Sequence, residues 1–141
     1  MKVLLDLNIL VDVFEQREPH YAASAKILSL GIEKTIELLI PGHAPATIHY
    51  LTARTIGRAM ADEALDWMLA SFELAPATRE VYLRARALHF RDFEDGVVAA
   101  VAEAEHCDYI VTRNLRDFAE SPVKAVSPAE LLAYFTGDSA E

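Results

Sequence analysis

Residues 92–118, DFEDGVVAAVAEAEHCDYIVTRNLRDF, constrain the fold of this chain more than any other segment. Three carboxylates, Asp92, Glu94 and Asp95, open a nearly all-apolar helix. A short apolar strand follows and ends in Arg113, Asn114 and Asp117. The N-terminus repeats the arrangement, with Val3-Leu4-Leu5 running straight into Asp6-Leu7-Asn8. A helix that is apolar almost all round belongs against a sheet. Strands that are apolar on both faces belong in a covered parallel sheet. An acid at the mouth of such an element is costly unless it is paired or bound to a cation.

The rest of the chain alternates in the same way. Strands are expected over residues 2–5, 35–40, 73–75, 109–112 and 123–126. Helices are expected over 7–15, 20–30, 44–55, 58–72, 79–90 and 94–106, with a last one to about Phe135. Apolar residues at helical spacing mark the helices, among them Ile9, Leu10, Val13 and Phe14. The punctuation agrees. Arg17-Glu18-Pro19 and Pro41-Gly42 are breaks, Gly31 reads as a helix C-cap and Thr78 as an N-cap. Ser127-Pro128-Ala129-Glu130 reads as a capping box. Short strands alternating with many helices predict one α/β domain over 1–136, a three-layer α/β/α sandwich on a short central parallel sheet. Residues 137–141 are expected to form a frayed tail.

At 52% hydrophobic, the chain has a real core to bury. No apolar run reaches the ~20 residues of a membrane helix. Asp6 interrupts what would otherwise resemble a secretory leader, so a cytoplasmic protein without a membrane role is expected. Cys107 is the only cysteine, which excludes an internal disulfide and a cysteine-based zinc cluster. The net charge of −9 argues against a general nucleic-acid binder. A cation held by clustered acids would cancel part of that charge locally. Nine of the thirteen basic residues are arginine, the better bidentate phosphate ligand. Arg91, Arg113 and Arg116 flank the acidic segment, where they are either phosphate ligands or solvated side chains.

Functional groups in such folds gather at the carboxyl ends of the strands. If the first strand and the strand near Ile110 are parallel neighbours, Asp6 and Asn114 sit side by side. The start of the long apolar helix then brings Asp92, Glu94 and Asp95, and its dipole favours their negative charge. Oxygen donors of this kind suit a hard divalent cation such as Mg²⁺. An open carboxylate site of that type suits phosphodiester hydrolysis. The sequence has no His/Cys spacing for zinc, no Gly-rich phosphate loop and no G-x-S-x-G.

At these residues the sequence resembles the PIN-domain ribonuclease family, especially bacterial VapC-type toxins. VLLDLNILVDVF, the 92–118 segment and the closing VKAVSPAELL carry the resemblance across nearly the whole chain. The resemblance implies an α/β/α sandwich, Mg²⁺ or Mn²⁺, and cleavage of RNA to 5′-phosphate and 3′-hydroxyl ends. It also implies a cognate antitoxin as partner and, in many members, a homodimer. Asp6 matches the first metal-binding acid and Asp95 the acid that opens the apolar helix. Asn114 stands where many members have Asp, Asp117 matches a recurrent acid, and Asn8 and Thr112 match supporting polar residues. The chain departs from the family in two places. Thr47 falls where a helix Glu is usual, and Asn114 brings no charge. Asp92 and Glu94 are additional acids that can replace the missing ligand, and the Asp-x-Glu-Asp cluster resembles a subgroup of the family.

Each candidate has a plainer reading beside it. Asp6 and Asp95 are also good N-caps, and Asn114 and Asp117 suit a turn. Asp12 reads as a solvated helix residue, His49 as a structural histidine, and His43 and His89 have no evident partner. Trp67 and Tyr50 sit at core-like spacing, with base stacking as the alternative. Arg54 and Arg58 read as a solvated face, or as contacts to phosphate or an acidic partner. Trp67, Met68 and Phe72 suit either a dimer face or the core. The expectation is therefore a metal-dependent endoribonuclease. One rival is a degenerate PIN-like module that binds RNA or protein without cleavage. The other is a phosphatase or DNA nuclease with the same metal chemistry.

Overall fold

The computed structural model describes residues 1–136, and the tail expected to fray lies outside the described residues. The strands are β1 (Lys2–Leu5), β2 (Glu37–Pro41), β3 (Glu73–Ala75), β4 (Tyr109–Val111) and β5 (Ala125–Val126). They form one sheet in the order β3-β2-β1-β4-β5, with every pairing parallel. The strand β1 is central. Its Val3 pairs with Leu38 on one side and Tyr109 on the other. Val3, Leu4 and Leu5 are fully buried, as a strand covered on both faces must be.

Among the described residues, seven helices cover the sheet. They are α1 (Leu7–Phe14), α2 (Tyr21–Ile32), α3 (Ala44–Thr55), α4 (Arg58–Ser71), α5 (Arg79–Leu88), α6 (Phe93–Ala104) and α7 (Pro128–Thr136). The crossovers through α1–α2 and α3–α4 step the sheet one way, and the crossover through α5–α6 steps back across β1. Right-handed connections then put α1–α4 on one face and α5–α6 on the other. The packing agrees: α1 meets α2 and α3, α3 pairs with α4, α7 lies on α2, and α5 pairs with α6, which lies on β4. The three-layer sandwich expected from the sequence is the observed architecture. Among the described residues no helix is long and apolar enough to cross a membrane.

Several local expectations are corrected. Gly31 does not cap α2 but lies inside it, because Leu38 packs against it: an added Cβ would stand 2.5 Å from Leu38 Cδ2. The stop comes later, with Lys34 in the left-handed region. The helix expected to reach Phe90 ends at Leu88, where left-handed His89 breaks it. The long apolar helix runs from Phe93 with Asp92 as its N-cap, and left-handed His106 follows its end.

Met68 and Phe72 are buried and Trp67 packs on the core. The Trp67 ring stands edge-on between Phe14 and Phe72, at centroid distances of 5.6 and 5.1 Å. Met68 and Phe72 are therefore core residues, and Trp67 packs on that core with part of its side chain at the surface. Tyr50 goes the other way: expected in the core, it is 60% exposed.

Candidate functional site

The strand order itself makes a crevice. The chain leaves β1 toward β2 but reaches β4 from the far side of the sheet, so the direction of travel reverses between β1 and β4. In open α/β sheets this is where a cleft opens beyond the strands' carboxyl ends. Asp6 and Thr112 are the first residues past β1 and β4. The Asp6 backbone N–H donates to the Val111 carbonyl at 2.9 Å, which fixes the two ends together.

Asp6 shows one of its two sequence readings, the helix cap. It is the N-cap of α1, where Oδ1 accepts from the Leu7 N–H at 2.7 Å. Its Oδ2 accepts from the Thr112 hydroxyl at 2.8 Å. Thr112 is fully buried. Its Oγ1 also accepts from the Asn114 N–H at 3.0 Å, and Asn8 Nδ2 approaches it at 3.4 Å. Thr112 therefore sits behind the cleft and holds three of its residues.

The remaining acids arrive on α6 and on a 3-10 turn, Leu115–Phe118. Asp92 caps α6, with Oδ1 accepting from the Glu94 N–H at 2.8 Å. Asn114 precedes the 3-10 turn, and its carbonyl accepts from the Asp117 N–H. Asp6, Asn8, Asp92, Glu94, Asp95, Asn114 and Asp117 all line one cleft, together with Thr47 and Arg17. Its volume, about 290 Å³, is enough for a phosphate and several waters. A neighbouring recess is walled by Arg91, Asp92, Asp95 and Asp117.

The electrostatics are those of crowded like charges. Burial raises the Asp6 carboxyl to about 6, against the hydrogen bonds from Thr112 and Leu7, with Glu94 and Asp92 adding to the rise. Asp95 rises to about 7, first from burial and then from the charges of Asp6, Asp92, Asp117 and Glu94. Opposing forces of this kind gather at functional sites.

Among the described residues, no three His, Cys, Asp or Glu side chains stand close enough to hold an ion as they are. The donor set nevertheless fits a hard divalent cation that keeps several waters. The donors are carboxylate and amide oxygens, and their mutual repulsion is what a cation relieves. In addition, Asn8 Oδ1 is buried on the cleft wall without a hydrogen-bond partner.

Some residues were misjudged from sequence. His43, expected to lack a partner, makes no side-chain hydrogen bond, yet its Nε2 lies 3.4 Å from Glu94 Oε2 beside the acids. It follows β2 at the same end of the sheet as Asp6, so the strand-end rule was the missed signal. Arg17 lines the cleft from just past α1, and nothing in the sequence marked it. Asp12 is fully buried rather than solvated. It accepts from Nε and Nη2 of Arg113, the latter at 3.1 Å, which commits that guanidinium to structure. His49 pairs with Asp62 at 2.8 Å and joins α3 to α4 away from the acids.

Comparison with known proteins gives a consistent outcome. The family model described as PIN domain matches residues 2–116. Ribonuclease VapC1 of Aquifex aeolicus (strain VF5) is 23% identical over 133 residues, which is 92% of each chain. Among solved structures, VapBC2 from Rickettsia felis bound to a promoter DNA fragment superposes with a TM-score of 0.73 at 19% identity, covering 90% of this chain and 98% of that one. A toxin-antitoxin complex from Klebsiella pneumoniae superposes with a TM-score of 0.67 at 22% identity, covering 89% and 97%. At these identities the structural likeness establishes the fold.

Proposed function

Since this chain belongs to the PIN domain family, we propose that it is a divalent-metal-dependent endoribonuclease, the toxin of a toxin–antitoxin pair, with residues 1–136 as its nuclease domain and the cytoplasm as its site of action. The observation that carries the reading is the pair Asp6 and Asp95 at the β1/β4 crevice, both with carboxyls raised by burial and by each other's neighbours. Such a cleft repels an RNA phosphate unless a cation is added. Similarity to the Aquifex ribonuclease supports RNA as the substrate, and similarity to the Klebsiella complex supports an antitoxin as partner.

Asp6 and Asp95 would hold Mg²⁺ or Mn²⁺, with Asp92, Glu94 and Asp117 adding carboxylates and Asn114 an amide oxygen. When bound, the cation supplies Lewis acidity at the phosphoryl oxygen and makes water more acidic. Thr112 and Leu7 fix the Asp6 carboxylate, so both of its oxygens keep one orientation. Asp92 and Asp95 would orient the attacking water and accept its proton. Glu94 reaches the start of α3, where Thr47 brings no acid, and so replaces the missing carboxylate on that side of the cleft.

Thr47 in the cleft, where a helix Glu is usual, and the net charge of −9 favour a second reading, a non-catalytic module that binds RNA or an antitoxin. Calorimetric titration of Mn²⁺ into the wild type and an Asp6→Asn/Asp95→Asn variant separates the two, followed by cleavage assays on RNA and DNA. We expect saturable binding and RNA cleavage, both lost in the variant, with cleavage down by about 100-fold or more. A folded wild type that neither binds Mn²⁺ nor cuts any nucleic acid would establish the non-catalytic module instead.

A further inference from the structure

Tyr50 is a large aromatic residue exposed to solvent beside the acidic cleft, and nothing in the proposed chemistry uses it. Its ring is held rather than loose. Arg54, one turn further along α3, sets its guanidinium 5.4 Å from the ring centroid and donates from Nη1 to the Tyr50 hydroxyl at 3.2 Å. Even so, Tyr50 stays 60% exposed. Its neighbour Leu51, itself 38% exposed, lines the acidic cleft together with Thr47 one turn earlier. Tyr50 and Arg54 stand next to these two residues on α3, the lip of that cleft, and Arg17 lines its wall with its guanidinium held by Glu15 at 2.9 Å.

Charge favours one kind of occupant. The chain has 22 acidic residues, yet none lies between Glu37 and Asp62, the stretch that contains all of α3. An exposed aromatic ring pre-ordered by Arg54, on a helix that carries no carboxylate of its own, suits a nucleobase and its phosphate. Bases stack on such rings with little regard to sequence, and arginine meets phosphate in a fork of parallel hydrogen bonds.

Building on the nuclease reading, we propose that the α3 lip is the subsite that receives single-stranded RNA on its way into the acidic cleft. Tyr50 stacks on an unpaired base next to the scissile linkage, and Arg54 meets the flanking phosphate. Such stacking needs an unpaired base, because a base inside a duplex has no free face to offer.

The test is fluorescence anisotropy of a labelled single-stranded RNA of about ten nucleotides with the uncut Asp95→Asn protein, compared with the same protein carrying Tyr50→Ala, Tyr50→Phe or Arg54→Ala. Tyr50→Ala should weaken binding by roughly tenfold, while Tyr50→Phe keeps affinity within about twofold because the ring remains. Arg54→Ala should lower the salt dependence by about one unit of slope. Duplex RNA of equal length should not respond to Tyr50→Ala. Affinity for the single strand that is unchanged by Tyr50→Ala, or no binding by the Asp95→Asn protein, overturns the subsite and leaves the lip to a protein partner. Mn²⁺ binding and cleavage by the wild type stand or fall separately, so the two readings can fail independently.

Discussion

Thr112 Oγ1 has no spare hydrogen-bonding capacity. It donates to Asp6 Oδ2, accepts from the Asn114 N–H, and has Asn8 Nδ2 at its side. Thr112→Val keeps the shape and removes all three contacts. Groups that orient metal ligands typically cost 10–100-fold in metal affinity when lost. Calorimetry should therefore show Mn²⁺ affinity lower by about tenfold or more, with stability down by about 1–3 kcal/mol. Thr112→Ser should recover most of both, and a Val variant that binds Mn²⁺ like the wild type would refute the positioning role. At this scale the sequence was legible where chemistry and position coincide. Asp6, Asp92, Glu94 and Asp95 are acids at the ends of apolar elements, and all line the cleft. Tyr50 and Asp12 were not legible. Helical spacing gives the face a residue occupies, but which face is covered depends on neighbours far away in sequence. Asp12 is buried because Arg113, 101 residues away, pairs with it.

At the scale of elements, order and type follow from hydrophobic period and turn residues, and the errors are concentrated at helix ends. Gly31 shows why. Glycine reads as a stop, yet here it is needed for space: an added Cβ would stand 2.5 Å from Leu38 Cδ2 and 2.7 Å from Leu38 Cβ. The contact brings α2 close against β2, in the layer that carries β1 and Asp6. Gly31→Ala gains up to about 1 kcal/mol of helix propensity, while overpacking against an atom so near the backbone costs about 1–3 kcal/mol. The clash should prevail, and chemical denaturation should show a net loss of about 1 kcal/mol. A stabilised variant would mean that α2 can move off Leu38 freely. The capping box at Ser127 is the opposite case. Ser127 and Glu130 exchange the two expected hydrogen bonds at 3.1 and 2.9 Å, because every atom involved lies within four residues.

Over the whole molecule, the acidic cleft couples stability to pH. Asp6 near 6 and Asp95 near 7 both lie above the usual 3.8, so the folded protein binds these protons more tightly than the unfolded chain does. The resulting stabilisation is complete below the unfolded value and is lost as pH rises through about 6 and then about 7. Metal-free protein should therefore melt at lower temperature near pH 8 than near pH 5. Other groups titrate in this window as well, so the informative quantity is the difference from the Asp6→Asn/Asp95→Asn variant, which should show a flatter profile. Asp95→Asn alone should raise the metal-free melting temperature near pH 8 by about 2–5 °C, as ~1 kcal/mol does in a chain of this size. A divalent cation reverses the sign. It binds the ionised carboxylates and releases their protons, so saturating Mn²⁺ should stabilise the wild type more near pH 8 than near pH 5 and leave the double variant unmoved. Thermal melts across pH, with and without Mn²⁺, read both effects. Wild-type and double-variant profiles that run parallel in the metal-free melts would remove the crowded carboxylates as the source of the coupling, and with them the physical reason for a cation in this cleft.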